Sequence, residues 1–327
     1  MSERCRLTAI SWASSCSRSD SIAQRLGGRS YMVYSPVWGS RYATIIFKYT
    51  FQALKTLWIL FRTRPEVVLV MAPPVVACTP VWIYQKIAGG SYAIDAHTAA
   101  FLDPRWRPVM FLQKFFSRRA ATTIVTNQHL ADIVRSWGAH ATIVTDVPIC
   151  FPEPKRIRIK GECAMVFVSS FTRDEPLETF IEAVRRAPEI QFYVTGDYRD
   201  ADPKLLADKP GNLEFTGYLP GSEYVGLVMC SSAVICLTTS DHTMQRGAYE
   251  AIFLGKPVIT SNFKLLREVF HRGVVHVDIT VEDIVRGIRQ MRQNLDKYTL
   301  EASELKQERL KEWAGVSRQL QQLLFSR

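Results

Sequence analysis

Short apolar runs rich in β-branched residues recur at residues 6–12, 30–34, 66–71, 92–95, 122–126 and 142–146, with helical periodicity between them. Such alternation predicts parallel strands joined by crossover helices. The pattern stops at 148–160, where Pro148, Pro152 and Pro154 precede the basic run Lys155, Arg156, Arg158 and Lys160, and this stretch reads as a linker. Alternation restarts with apolar runs at 164–169, 191–195, 213–215, 233–238, 257–260 and 274–277. From Glu282 onward the chain reads as helix, with Trp313, Val316, Leu320 and Leu324 on one face near its end. The expected fold class is therefore α/β: two doubly wound Rossmann-like domains, residues 1–150 and 151–310, and a last helix, 311–327, packing back toward the N-terminal domain. Open parallel sheets bind ligands beyond the carboxyl ends of their strands, so a cleft between the two carboxyl edges is where chemistry is expected.

Residues 42–61 have the length of a bilayer crossing but contain Lys48 and Lys55. Thr44, Lys48, Gln52 and Lys55 recur at spacings of four, four and three, which places them on one narrow stripe of an otherwise apolar helix. The wide apolar face favours packing on a sheet over lying on lipid, and both hold together if one edge is exposed.

With 327 residues, 47% hydrophobic and 22% charged, the chain is long enough for two cores and is neither disordered nor low-complexity. Its formal net charge of +10 is unevenly placed: residues 1–150 hold 17 Lys and Arg against 7 Asp and Glu, and the remainder hold 24 against 24. A basic half beside a neutral one suits an anionic partner of that half, such as a phospholipid surface, a lipid-linked phosphate or an acidic glycan, or else is a solvated face. Nucleic acid is not expected, since no recognition motif or aromatic platform accompanies the charge. The seven cysteines form no CxxC pair and several lie in apolar runs, which reads as reduced, buried thiols of a cytoplasmic protein. Residues 1–10 hold no long apolar stretch, so no secretory signal is expected.

The densest chemistry lies at 238–257. There a buried strand ends in the polar loop Ser240, Asp241, His242, Thr243, and Arg246-Gly247-Ala248 opens a helix. A glycine at a helix start lets a ligand approach the backbone, and the free amides with the positive end of the helix dipole hold a phosphate or diphosphate. Glu250, one turn in, either accepts hydrogen bonds from ribose hydroxyls or only complements the dipole. His242, at the strand end, either faces the phosphate or is a surface imidazole, and its position favours the first.

The run Arg246-Gly247-Ala248-Tyr249-Glu250-Ala251, followed by Leu254-Gly255-Lys256-Pro257-Val258-Ile259-Thr260-Ser261, resembles the donor-site signature of family 4 (group 1) glycosyltransferases. Phe215-Thr216-Gly217-Tyr218-Leu219-Pro220 is similar to that family's nucleobase loop, Ser169-Ser170-Phe171-Thr172-Arg173 to its diphosphate loop, and Thr195-Gly196-Asp197 to the next strand-end loop. The resemblance covers most of residues 161–290. It implies the GT-B architecture, a UDP-, GDP- or ADP-linked nucleotide sugar as donor with no further cofactor or metal, and transfer with retention of configuration. Under it Arg173, Thr172, Gly196, Tyr218, Leu219, Arg246, Gly247, Ala248 and Glu250 bind the donor. Two positions depart from the family pattern. His242, preceded by Asp241, stands where a Glu is common eight residues before the ribose-binding Glu, and Asp174, Glu175 and Pro176 follow Arg173 where a Lys is usual. The sugar-positioning role is therefore assigned to Asp241 or His242.

In the N-terminal half, Asp95 and His97 end a strand and resemble the acceptor-side loop. His97 would orient or polarise a hydroxyl with Asp95 setting its tautomer, or Asp95 would only cap the next helix. The Ser-rich turn at 11–20 places Arg18 and Ser19 where an anion or acceptor is expected. The remaining histidines show no metal-ligand spacing. The combined expectation is a retaining glycosyltransferase acting on a glycan or lipid-linked acceptor in polysaccharide or cell-envelope synthesis, cytoplasmic and peripheral on the inner face of the membrane. The alternatives are a nucleotide-sugar epimerase or hydrolase of the same fold and a non-catalytic glycan- or membrane-binding subunit.

Overall fold

Each apolar run becomes a strand in a computed structural model of the chain, which describes residues 6–14, 16–35, 42–145 and 147–325. Cys5, Ser15 of the Ser-rich turn and Asp146 of the sixth expected strand lie outside the described residues. The chain divides into two compact units, Met1–Val147 with Glu312–Arg327, and Pro148–Lys311.

In the first unit, β1 (Leu7–Ser11), β2 (Arg29–Met32), β3 (Val67–Ala72), β4 (Ser91–Ala96), β5 (Thr122–Val125) and β6 (Ala141–Ile143) form a parallel sheet in the order β2-β1-β3-β4-β5-β6. The connecting helices are α1 (Ser17–Arg25), α2 (Tyr42–Thr63), α3 (Cys78–Ala88), α4 (Ala99–Leu102), α5 (Met110–Ser117) and α6 (Gln128–Ser136). Successive strand residues point to opposite faces. Leu7, Ala9, Val67 and Leu69 pack with Ile22 and Ala23 of α1, whereas Ile10, Val68 and Val70 pack with Ile59 and Leu60 of α2 and Val81 and Tyr84 of α3. Both faces are covered, so the central strands are apolar throughout rather than alternating.

In the second unit, β7 (Ala164–Val168), β8 (Gln191–Thr195), β9 (Leu213–Gly217), β10 (Ala233–Cys236), β11 (Val258–Ser261) and β12 (Val274–Val277) form a parallel sheet in the order β12-β11-β10-β7-β8-β9. Strand order reverses between β7 and β10, which makes that pair the switch point of the sheet. Its helices are α7 (Leu177–Arg185), α8 (Pro203–Ala207), α9 (Gly221–Cys230), α10 (Arg246–Phe253), α11 (Lys264–Val269), α12 (Val281–Gln293) and α13 (Leu295–Phe325). The end of α13 belongs to the first unit, where Trp313, Leu320 and Leu324 are buried beside Leu7, Ala9 and Ile22.

Three expectations change. Pro148 to Lys160 is not a free linker: the Lys155 amide donates to the Ser222 carbonyl (2.9 Å), its ammonium pairs with Glu223 (2.7 Å), and Ile157 and Ile159 pack with Leu227 of α9. The thiols are not uniformly buried, since Cys150 is exposed while Cys16, Cys78 and Cys236 are enclosed. In α2 the polar stripe marks a boundary between two apolar faces. Gln52 is turned inward, donating to the Val33 carbonyl (2.6 Å), and Thr56 accepts from the Trp12 indole (3.0 Å). The opposite face, with Ile46, Leu54 and Trp58, is exposed and outside the core cluster. Among the described residues no helix is long and apolar enough to cross a membrane.

Candidate functional site

In the second unit, the loops leaving β7 and β10 meet at the switch point. Asp174 joins them: its carboxylate accepts from the Thr238 hydroxyl (2.7 Å), and its carbonyl accepts from the Thr239 amide (2.7 Å). Glu175 shapes the first loop, accepting from the Ser170 and Phe171 amides (both 2.9 Å) and from the Ser169 hydroxyl (2.5 Å). The two acidic residues that depart from the family pattern are thus the framework of the loop. They leave Thr172 and Arg173 exposed at its tip, and Arg173 makes no ion pair with a described carboxylate.

From the other side of the switch point comes α10. Its N-cap, Gln245, makes no side-chain capping bond, so the first-turn amides keep their capacity for an anion. Ala248 is buried; Arg246 Nε lies 3.3 Å from Glu250 Oε1, and Tyr224 of α9 donates to Glu250 Oε2 (2.7 Å). Burial and the Glu250 charge push the Tyr224 phenol well above its ordinary value, so it remains a donor. Glu250 is therefore an oriented, half-buried carboxylate rather than a surface group serving the dipole alone.

Gly247 has a packing role that its sequence position did not show. A Cβ there would meet Val168 Cγ1 at 2.8 Å and Cys236 Sγ at 2.9 Å, so glycine is required for α10 to lie against the ends of β7 and β10. Gly247→Ala should destabilise the unit by roughly 1–3 kcal/mol. A shift in urea midpoint checks this, and Val168→Ala in the same chain should restore part of the loss. Gly196 has φ +113°, and a Cβ would come within 2.2 Å of the Ser169 carbonyl oxygen, so the loop after β8 closes on the loop after β7 only with glycine.

Beyond β9, Tyr218 is 78% exposed and Leu219 is partly covered, so Tyr218 is held by no packing of its own. Between these loops Phe171, Tyr198 and Phe215 form a cluster with ring centroids 6.2–6.5 Å apart, Tyr198 keeping an exposed edge. Asp197 is committed to Arg199 in an exposed pair. At the β10 end, His242 has φ +59° and its Nε2 lies 3.7 Å from Asp241 Oδ2; Asp241 is exposed and His242 partly so.

In the first unit, β4 delivers Asp95, fully buried, and then His97, partly exposed. Arg18 and Ser19, expected to meet an acceptor or anion, are spent internally: Arg18 Nε donates to Asp95 Oδ1 (3.0 Å) and Nη2 to the Val144 carbonyl (2.8 Å), while Ser19 donates to Asp95 Oδ2 (2.9 Å). Both are buried. Asp95 Oδ2 also lies 3.6 Å from His97 Nε2, and Cys16 Sγ lies 3.8 Å from the same nitrogen. Burial opposes the charge of each group, but Arg18 and His97 hold Asp95 well below the usual carboxylate range, and Asp95 and Cys16 raise His97 to about 9. The His97 contact likewise lowers the Cys16 thiol against its burial. His97 is consequently an imidazolium at neutral pH, a donor and a positive charge rather than a base. Its pairing is through Nε2, and what Asp95 sets is its charge rather than a tautomer, since the imidazolium is protonated on both nitrogens. Ligand atoms of Cys16, Asp95 and His97 lie within 4.8 Å of one another, yet both Asp95 oxygens already serve Arg18 and Ser19, which suits a compensated ion pair better than a cation site.

Tyr224, Cys16 and the aromatic cluster carried no signal in the sequence, because their partners lie 26, 81 and 17 or more residues away. A cavity of about 700 Å³ lies at the amino edge of the first sheet, lined by Phe61, Tyr84, Ile87, Leu324 and Phe325. It is remote from the carboxyl edge where open sheets bind ligands.

Residues 162–294 match the family described as glycosyl transferases group 1. No curated protein matches the sequence. Among solved structures, sucrose-phosphate synthase of Thermosynechococcus elongatus is similar at 12% identity, covering 97% of this chain and 98% of that one with a TM-score of 0.69. HepE of Anabaena, in complex with UDP and glucose, is similar at 12% identity, covering 98% and 100% with a TM-score of 0.70. A putative UDP-N-acetylglucosamine 2-epimerase of Listeria monocytogenes aligns at 11% identity over 92% and 91% with a TM-score of 0.62. The fold is that of GT-B glycosyltransferases, with two doubly wound α/β units.

Proposed function

We propose that the protein is a retaining glycosyltransferase that moves a sugar from a nucleotide-sugar donor to a hydroxyl of a glycan or lipid-linked acceptor in polysaccharide or cell-envelope synthesis. The observation that carries this reading is the oriented Glu250 carboxylate beside the uncapped start of α10, with the unpaired Arg173 on the loop that Asp174 ties to the same switch point. Glu250 accepts from the ribose hydroxyls, the backbone at Tyr218 and Leu219 meets the base, and Arg173 with the α10 amides holds the diphosphate. Asp241 or His242 positions the sugar. In the transfer, the bond from the anomeric carbon to the diphosphate oxygen breaks and the bond to the acceptor oxygen forms on the same face. The acceptor proton passes to the departing phosphate oxygen, so no protein nucleophile is needed. Charge grows on the diphosphate, and preorganised donors stabilise it there. His97, being cationic, orients a hydroxyl as a donor, and Asp95 is a positioning residue.

Nucleotide release from UDP-, GDP- and ADP-sugars, with and without a lipid-linked acceptor, tests the reading, and anomeric NMR of the product reads the stereochemistry. Acceptor-dependent release with a retained anomer is expected. Likeness of fold to an epimerase gives the second reading, which predicts turnover of donor alone with altered sugar stereochemistry.

A further inference from the structure

Among the described residues, the outward face of α2 carries more exposed large hydrophobic side chains than any other helix. Ile46, Phe47, Phe51, Leu54, Trp58 and Phe61 are 42–70% exposed. At 100° per residue they fall on an arc of about 140°, opposite the inner face formed by Gln52, Thr56, Ile59 and Leu60. Lys48, Lys55 and Arg62 line one margin of the arc. Lys48 Nζ stands 5.2 Å from the Tyr34 ring centre, and the Arg62 guanidinium 5.4 Å from that of Trp58. Next to α2, α3 adds Lys86 and the exposed Ile87.

Charge selects the occupant of this face. Neither α2 nor α3 contains an acidic residue, and between residues 42 and 119 the acids are Glu66, Asp95 and Asp103. Asp95 is buried against Arg18, and Asp103 is paired with Arg105. A second copy of the chain on this face would set Lys48, Lys55 and Arg62 against the same cations in a two-fold arrangement. An apolar arc bordered by uncompensated cations fits a surface with anionic headgroups over an acyl layer. The inner face is already packed, so the helix is held to lie in the plane of such a surface.

We propose that α2 docks the protein on an anionic phospholipid bilayer, its apolar arc at acyl depth and Lys48, Lys55 and Arg62 among the phosphates. The placement also suits a lipid-linked acceptor, and in that respect it deepens the reading above. Gln52 and Thr56 are pinned to Val33 and Trp12, which follow the ends of β2 and β1. The first half of α2 therefore extends past the carboxyl edge of the sheet, the edge at which β4 delivers His97.

The full chain is sedimented with vesicles of phosphatidylcholine alone and of equal parts phosphatidylcholine and phosphatidylglycerol. Binding to the mixed vesicles that weakens with salt is expected. Lys48→Glu/Lys55→Glu/Arg62→Glu should weaken it on the order of a hundredfold or more, each cation near the surface contributing about fivefold. Ile46→Ser/Leu54→Ser/Trp58→Ser should weaken it at least tenfold with an unchanged melting temperature, because these side chains are exposed and outside the core cluster. Equal binding to both vesicles, wild-type binding by either variant, or a concentration-dependent dimer abolished by the apolar substitutions in a chain that ignores vesicles would overturn the proposal. Nucleotide binding, measured by calorimetry on the same variants, should be unaffected, so failure of docking and failure of the donor site are separately visible.

Discussion

Asp95→Asn is expected to destabilise the first unit by about 3–5 kcal/mol, the largest stability loss of any single change near the site. The asparagine matches the carboxylate in shape but not in charge, and it takes the Asp95 negative charge away from the buried Arg18 guanidinium. It also removes the partner that keeps His97 charged. The pH dependence has a definite sign. His97 is raised in the folded state, so its contribution is complete below the unfolded value of roughly 6.5 and is lost as pH rises through about 9. Asp95 is depressed, so its contribution is present above the ordinary carboxylate value of roughly 4 and is lost as pH falls below it. Urea midpoints of the wild type should therefore decline from pH 6.5 to 9 and again in acid, whereas the Asn variant should start lower and lose most of both slopes. A variant as stable as the wild type at neutral pH would show that the Arg18–Asp95 pair is not the post on which His97 stands.

What the sequence made legible was whatever is encoded locally. Central strands buried on both faces are continuous apolar runs and so were visible, and a ligand loop in such a sheet is expected beyond a strand end, which is why Arg173, Gly196, Tyr218 and Gly247 stood out as candidates. Readings that depend on distant partners changed. Arg18 looked available because Asp95 is 77 residues away, and the packing need at Gly247 was hidden because Val168 and Cys236 end two other strands. Asp174 and Glu175 stood out only as departures, yet they tie the loop that leaves Arg173 exposed. Periodicity located α2 but not which of its faces the sheet would take. Both flanks of its polar stripe are apolar, and only the packing of Gln52 and Thr56 turned the more aromatic flank outward.

Glu250→Ala is expected to weaken binding of the cognate nucleoside diphosphate by about two to four orders of magnitude, with the fold intact. Two hydrogen bonds from ribose hydroxyls to a carboxylate are each worth about 1.5–3 kcal/mol, and the Tyr224 phenol loses its acceptor as well. Because Glu250 is only half-buried, its removal opens no large core cavity, and the stability loss should be limited to about 1–3 kcal/mol for the acceptor taken from the Tyr224 phenol. Tyr224→Phe separates orientation from contact: the carboxylate remains but is steered by Arg246 alone, and affinity should fall only about tenfold, as for loss of one hydrogen bond. Glu250→Gln should fall between the two, since the amide oxygen still accepts from one hydroxyl while its NH2 group faces a phenol that can turn to accept. Calorimetry with UDP, GDP and ADP, on the wild type first to find the base and then on the three variants, gives the order directly. Indistinguishable affinities for wild type and Glu250→Ala would reduce Glu250 to a partner of Tyr224 and Arg246 that merely locks α9 to α10, and the donor reading of the switch point would fall with it.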